Sequence, residues 1–352
     1  MRALYVTFDE LNPNSGAGLV CLHEISALKQ VCDTVKVIER KDIIGADKYD
    51  FNPFLYDYFA SRLINGDLYD IVHFSCSPAV AMLDRVRTHH YVVNIVAHDL
   101  HVSIDEHEMY YGKGSYPFKH NTDEYLHRLL LQHADRANVI FTPSSTSKEW
   151  IDKNIPNRKE VKVISHGTEI PEEFSIFPDH FTVGYLGAFG PDKGLLYLFD
   201  AWRQCHNGEL LLGGSCHHTL LPAMQQHPDQ FPDCSLLGWV ENVAQFYHQI
   251  TIYVQPSVTE GFGIEILEAM AYGKPVIASR GAGGADVITD GVDGFVVPPR
   301  DPIAIKEKIE FFMKNPDTAK TMGIAAREKA KQYTWALIEQ RYVNAYKEIL
   351  GV

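Results

Sequence analysis

From Ala3 to about Ser165, short apolar runs rich in Val, Ile and Tyr alternate with longer stretches of helical periodicity. The alternation restarts at Phe181 and continues to about Val297. In the first round, the runs at 3–8, 34–38, 71–75, 91–97, 138–142 and 161–165 read as strands, and segments near 18–30, 78–87, 123–136 and 145–153 read as helices. Strands separated by helix-length crossovers favour parallel pairing, so the pattern predicts α/β architecture with doubly wound parallel sheets. Two rounds predict two Rossmann-like domains, over residues 1–172 and 181–333, joined by the polar, proline-bearing stretch Pro171–His180. Three helical segments near 301–315, 317–331 and 334–350 close the chain, and 334–352 is expected to cross back to the first domain. Ligands of such sheets bind beyond the carboxyl ends of the strands.

Composition narrows the function. A chain of 352 residues is long enough for two domains of ordinary size, and 45% hydrophobic with 22% charged residues is the make-up of a soluble globular protein. The net charge of −13 is spread evenly, −7 over residues 1–173 and −6 over the rest, so neither half has the basic excess of a nucleic-acid binder. No apolar stretch approaches a membrane span, no leader pattern precedes the first strand, and the six cysteines form no C-x-x-C pair. A cytoplasmic protein with reduced thiols is expected; peripheral membrane contact is compatible with this.

The densest chemistry lies between Glu260 and Ile277, E-G-F-G-I-E-I-L-E-A-M-A-Y-G-K-P-V-I. Thr251–Gln255 before it and Pro275–Ser279 after it read as strands, and Ile264–Tyr272 as a short helix stopped by Gly273. The glycines let backbone N–H groups approach a ligand, and the helix N-terminus behind them suits a phosphate. Glu260 and Glu268, with seven residues between them, offer hydroxyl-accepting carboxylates on either side of that anchor. On spacing alone, Glu265 and Glu268 read equally well as solvated helix residues, Glu265 favoured by the dipole in the first turn.

The segment E-G-F-G-x-x-x-L-E-A-M-A-x-G-x-P-V-I resembles the E-x7-E signature of the retaining glycosyltransferases of family 4, which have the GT-B fold of two Rossmann-like domains facing a central cleft. The resemblance implies a metal-independent hexosyltransferase that uses a nucleotide diphosphate sugar, needs no cofactor, and glycosylates a glycan, a lipid-linked molecule or a small-molecule hydroxyl. It also implies that Glu260 and the backbone of Gly261, Phe262 and Gly263 hold the sugar. Ile264 and its neighbours present N–H groups to the phosphates, and Glu268 takes the ribose hydroxyls. In this family the leaving phosphate oxygen takes the acceptor's proton on the same face, so no side-chain nucleophile is needed.

Other stretches extend the resemblance. The first strand-to-helix loop, D-E-L-N-P-N-S-G-A-G-L-V, is half of a dinucleotide fingerprint, with Cys21 at the third glycine position and Glu39 ending the next strand. Read alone it gives weak support to an NAD-dependent oxidoreductase. The family reading assigns Gly16 and Gly18 to phosphate approach. The stretch N-I-V-A-H-D-L-H is similar to the family's T-x-H-D, which places His98 near the sugar and Asp99 on the acceptor side. His98 also reads as a capping or core histidine. His73, in D-I-V-H-F-S, is a further acceptor-side candidate at a strand end. His98, His101 and His107, and separately Cys216, His217 and His218, invite a metal reading, but their spacing is irregular for zinc, and no metal site is expected. The aromatic, glycine-bearing segment His101–Thr122 is a candidate for acceptor recognition.

In the second half, G-A-F-G-P-D-K-G resembles the family's G-R-x-x-x-x-K-G, whose arginine and lysine stabilise the diphosphate. Lys193 matches the lysine, while Ala188 stands at the arginine position, with Arg280 as a substitute to consider. S-L-L-G-W-V resembles the element that contacts the base, at Trp239 and Val240. The alternative reading, given Ala188, is a non-catalytic nucleotide-sugar or glycan-binding protein on the same fold.

Overall fold

The computed structural model describes residues 1–7, 9–42, 62–64, 66–75, 85–96, 131–132, 134–173, 177–205, 207–214 and 233–352. These form two compact units: one takes the described residues up to His166 together with Trp335–Val352, the other Gly167–Thr334.

The first unit holds a six-stranded parallel sheet in the order β2-β1-β3-β4-β5-β6. The strands are β1 (Arg2–Thr7), β2 (Thr34–Ile38), β3 (Leu68–Ser75), β4 (Arg87–Asn94), β5 (Val139–Thr142) and β6 (Glu160–Val163). Helix α1 (Gly16–Val31) follows β1, and α2 (Ser145–Asn154) follows β5. Ser144 caps α2 by accepting from Ser147 N–H at 3.1 Å, as a serine at a helix start should. β4 begins four residues before the apolar run that marks it: its R-T-H-H start alternates between exposed and half-buried, and only Tyr91–Asn94 is buried.

The second unit repeats the architecture in the order β12-β11-β10-β7-β8-β9, again all parallel. Its strands are β7 (Thr182–Leu186), β8 (Glu209–Gly213), β9 (Ser235–Gly238), β10 (Ile252–Gln255), β11 (Val276–Ser279) and β12 (Gly294–Val297). Its helices are α3 (Leu195–Trp202), α4 (Val243–Gln249), α5 (Ile264–Ala271), α6 (Pro302–Lys314) and α7 (Pro316–Ala330). Side chains alternate across the sheet with the strand period. Leu210, Leu212, Ile252, Val254 and Ile277 enter one core with α3 and α6, while Leu211, Tyr253, Val276 and Ala278 enter the other with α5 and α7. Burial on both faces explains why these strands read as continuous apolar runs.

Helix α8 (Trp335–Leu350) belongs to the first unit and packs along α1. His23 of α1 stacks on Trp335 at 4.3 Å, and Glu339 accepts from the Ser26 hydroxyl at 2.6 Å. Beneath this pair lies a buried polar cluster. Glu24 of α1 is fully buried and accepts from Tyr5, Asn94, Ser75 and Tyr342. Burial pushes its carboxyl up to about 7, against the pull of those hydrogen bonds.

Candidate functional site

The order of the second sheet fixes where a ligand can sit. Its first strand, β7, lies beside its fourth, β10, and the chain winds outward from this pair in opposite directions. The loops leaving the carboxyl ends of β7 and β10 therefore flank the topological switch point, where doubly wound sheets take their ligands. Lys193 lies on the first loop and Glu260 on the second.

The two loops are tied together. After β7, Pro191–Lys193 forms one 3-10 turn, and Val258 N–H donates to the Asp192 carbonyl at 2.8 Å. Gly194 follows at φ 70°, and a side chain there would begin 2.1 Å from the Pro256 carbonyl oxygen, so only glycine fits. This brings Lys193 Nζ to 2.6 Å from Glu260 Oε1. Glu260 Oε2 accepts from Gln255 Nε2 at 2.8 Å and Ser257 Oγ at 2.7 Å. Burial opposes both charges. The Lys193 ammonium and the hydrogen bonds hold Glu260 below the usual carboxylate range, while Glu260 and Asp192 hold Lys193 above the usual ammonium range.

Behind Glu260, the glycine run after β11 forms a backing. Glu260 N–H donates to the Gly281 carbonyl at 2.9 Å, and Gly283 N–H returns a bond to the Glu260 carbonyl at 3.0 Å. A Cβ at Gly281 would fall 2.2 Å from the Val258 carbonyl oxygen, and one at Gly284 2.8 Å from that of Phe262. Gly261 and Phe262 are buried. Gly263 takes φ 85° as the residue before α5, and Ile264 opens the helix. Helix α5 ends at Ala271 and Gly273 adopts φ 74°, the left-handed stop expected from sequence.

Glu268 lies one turn into α5 and accepts from the Tyr247 hydroxyl of α4 at 3.0 Å. Tyr247 is itself fixed by stacking on Tyr272 at 4.9 Å. Burial raises the Glu268 carboxyl above its ordinary value. Between the two motif acids stands Glu265, which reads from sequence as a solvated first-turn residue. It is half-buried, and burial, with the charges of Glu260 and Glu268, pushes its carboxyl up to about 8. Sequence reasoning also passed over Gln255, Ser257 and Tyr247, because no spacing rule marks a lone polar residue at a strand end or a tyrosine on a helix.

The remaining candidates fall elsewhere. Val240 is half-buried against the second core, and Trp239 beside it is 68% exposed, so Trp239 is no core residue. Arg280 is exposed, and among the described residues its guanidinium meets no carboxylate. Gly18 in the first unit makes room for its own loop: a Cβ there would lie 2.4 Å from the Glu10 carbonyl oxygen and 2.6 Å from that of Asn12. Gly16 opens α1 one residue after Ser15, whose hydroxyl accepts from Gly18 N–H at 3.1 Å.

His73 is a correction. It does not end its strand, and it is 0% exposed, packed between Tyr5, Phe141 and Tyr346 with Nδ1 2.7 Å from the Tyr346 hydroxyl. Facing the α1–α8 side of the sheet, it is out of reach of any acceptor. Burial lowers it to about 3, so its 3.9 Å approach to Glu24 is no ion pair. His98, Asp99, the segment His101–Thr122 and Cys216–His218 lie outside the described residues. Among the described residues, no group of three or more His, Cys, Asp or Glu is placed to hold a metal, and no helix is long and apolar enough to cross a membrane. Cys21, Cys32, Cys205 and Cys234 are free thiols.

Residues 180–315, which span β7 to α6, match the family described as glycosyl transferases group 1. The whole chain superposes on sucrose-phosphate synthase from Thermosynechococcus elongatus with a TM-score of 0.78 at 18% identity, covering 100% of both chains. The chain has the GT-B fold, and its residues 180–315 are similar to group 1 glycosyl transferases. Anabaena HepE in complex with UDP-glucose is also similar to it, with a TM-score of 0.70 at 19% identity over 99% of this chain and 100% of that one. An uncharacterized glycosyltransferase of Methanocaldococcus jannaschii is 29% identical over 67% of this chain and 64% of its own length. The capsular polysaccharide biosynthesis glycosyltransferase CapM of Staphylococcus aureus is 26% identical over 61% and 63%. The chain thus aligns with slightly less than two thirds of the length of these curated relatives. The site at the β7–β10 switch point lies wholly inside the matched residues.

Proposed function

We propose that the protein is a retaining, metal-independent glycosyltransferase of family 4 that moves a hexosyl group from a nucleotide diphosphate sugar to an acceptor hydroxyl. The observation that carries this is the Lys193–Glu260 pair, fixed at 2.6 Å at the carboxyl ends of β7 and β10, immediately ahead of the α5 N-terminus. In the proposal, Glu260 and the Gly261–Gly263 backbone hold the sugar. Lys193 and the N–H groups opening α5 at Ile264 stabilise the departing diphosphate, a fixed cation and dipole aimed where charge develops. Glu268 accepts from the ribose hydroxyls, and Val240 lies by the base. The leaving phosphate oxygen takes the acceptor's proton.

Gly16, Gly18, His98 and Asp99 enter the proposal through the resemblance alone, as groups near the phosphates, the sugar and the acceptor. UDP-glucose is the first sugar donor to try, because HepE, similar in fold, is seen with it. The acceptor is a glycan, a lipid-linked molecule or a small molecule. The free thiols fit a cytoplasmic setting.

Nucleotide release from UDP-, GDP- and ADP-sugars, with and without acceptors and with and without a chelator, tests the proposal, and the anomer of the product tests retention. Turnover abolished by chelator, or an inverted product, overturns the corresponding part. Tight binding with no turnover from any sugar donor would leave a binding protein on this fold.

A further inference from the structure

The site has a surplus of carboxylates. The resemblance places an arginine where this chain has Ala188, and an additional acid, Glu265, stands in the first turn of α5. Glu265 stands close to the same loop: its Oε1 lies 3.8 Å from the point where a side chain on Gly187, the neighbour of Ala188, would begin. The Tyr185 hydroxyl lies 3.1 Å from the same point and donates to the Ala188 carbonyl at 2.7 Å. The Glu265 carboxyl is therefore turned toward the loop after β7, at the residue before Ala188.

Among the described residues, the titratable groups around Glu265 are Glu268 on its own helix, Glu260 on the loop after β10, Lys193 and Asp192 on the 3-10 turn, Tyr185 on β7, Tyr253 on β10 and Tyr247 on α4. Lys193 is the one cation in this set, and Glu260 already holds it. Were all four carboxylates ionised, the set would carry a net charge of −3 before any diphosphate arrived. Among the described residues no other residue hydrogen-bonds to the Glu265 carboxyl; it meets only its own backbone N–H.

We propose that Glu265 binds the diphosphate of the sugar donor as an uncharged carboxylic acid, donating its hydrogen to a phosphate oxygen at the turn left without an arginine by Ala188. The inference rests on the reading of this site as a nucleotide diphosphate sugar site. An ionised carboxylate there would repel the ligand, whereas a neutral acid supplies a donor without a cation. A carboxyl raised to about 8 carries its proton at neutral pH, and among the described residues no other residue accepts that proton. Loss of the proton at higher pH removes the donor and adds a repelling charge. The tyrosines and Lys193 stay protonated throughout this range, since each is raised above its ordinary value.

The test is calorimetric titration of the full-length protein with UDP, GDP and ADP from pH 7 to 9. Affinity for the nucleotide that binds should fall about tenfold across this range, with proton uptake on binding at pH 9. Glu265→Gln keeps a donor but cannot ionise. Its affinity should vary less than about twofold with pH and should not exceed that of the parent at pH 7. Glu268→Gln should weaken binding at every pH and still show a fall at high pH. A pH-independent parent, a Glu265→Gln protein that keeps the fall, or one that binds about tenfold tighter than the parent at pH 7 overturns the assignment while leaving the donor site standing. Binding of none of the three nucleotides at any pH overturns the site reading and this inference with it.

Discussion

Lys193 can serve the site in two ways, by holding Glu260 in place or by stabilising the leaving diphosphate, and its removal separates them. At 2.6 Å and an effective dielectric constant of 20, the direct attraction to Glu260 is about 6 kcal/mol. Both partners are largely out of water, with side chains 22% and 14% exposed, so desolvation offsets much of this. Lys193→Ala leaves Glu260 buried with only the neutral donors Ser257 and Gln255, and breaking such a pair should cost about 3 kcal/mol of folding stability. Glu260→Gln alone leaves the lysine with Asp192 at 3.9 Å, at a smaller cost. The double variant buries no unpaired charge from this pair, so it should be more stable than the sum of the single losses predicts, with a coupling of about 2 kcal/mol in urea unfolding. Activity should behave differently. If Lys193 also meets the phosphates, Lys193→Ala should lower the rate of nucleotide release by roughly two to three orders of magnitude, and the double variant should recover none of it. Free nucleoside diphosphate contains no sugar for Glu260 to hold, so a Lys193→Ala protein that binds it as tightly as the parent would refute the electrostatic role and reduce Lys193 to a prop for Glu260.

Glu268→Ala should weaken the free nucleoside diphosphate and the intact sugar donor alike, by ~1.5–3 kcal/mol in calorimetric titration; an unchanged nucleotide affinity removes it from the ribose. Gly281→Ala forces a methyl to 2.2 Å from the Val258 carbonyl and moves the strand end that holds the Glu260 N–H, so it should lower the unfolding free energy by ~1–3 kcal/mol in urea titration and reduce turnover as well. Glu24 titrates at about 7 in the folded chain against an ordinary value of 4.5, so the unfolded chain binds fewer protons between those values and stability from this group is lost as pH rises through them. The parent should therefore lose about 3 kcal/mol relative to Glu24→Gln between pH 4.5 and 7; a constant difference would show that Glu24 titrates normally.

Much of this was legible in the sequence, for identifiable reasons. Strands buried on both faces, such as Val276–Ser279, read as apolar runs, and Gly273 announced the end of α5. The polar start of β4, Arg87–His90, did not read as strand, because its outer residues face water and only parallel pairing to β3 draws them in. Gly18 reads as a glycine for phosphate approach, yet it makes room for the backbone of its own loop at Glu10 and Asn12, a contact that spacing cannot reveal. His73 failed for a related reason. The strand period gives the face of a side chain, but which helix covers that face is decided by α8, more than 260 residues later.

The same distinction explains why Glu265 was the hardest residue to read. A glutamate in the first turn of a helix is favourable when the helix end is solvated, because the dipole and water both support its charge. At the β7–β10 switch point neither condition holds alone. The helix end is turned toward a site already supplied with Glu260 and Glu268, and Lys193 is committed to Glu260. An arginine at position 188 would offset one of these negative charges and favour an ionised Glu265. With Ala188 there, a proton kept on Glu265 lowers the negative charge of the set by the same amount. The missing cation and the additional acid are thus one feature of the site seen from two loops, and Ala188→Arg should bring the Glu265 carboxyl back toward its ordinary range, flattening the pH dependence of nucleotide affinity between pH 7 and 9.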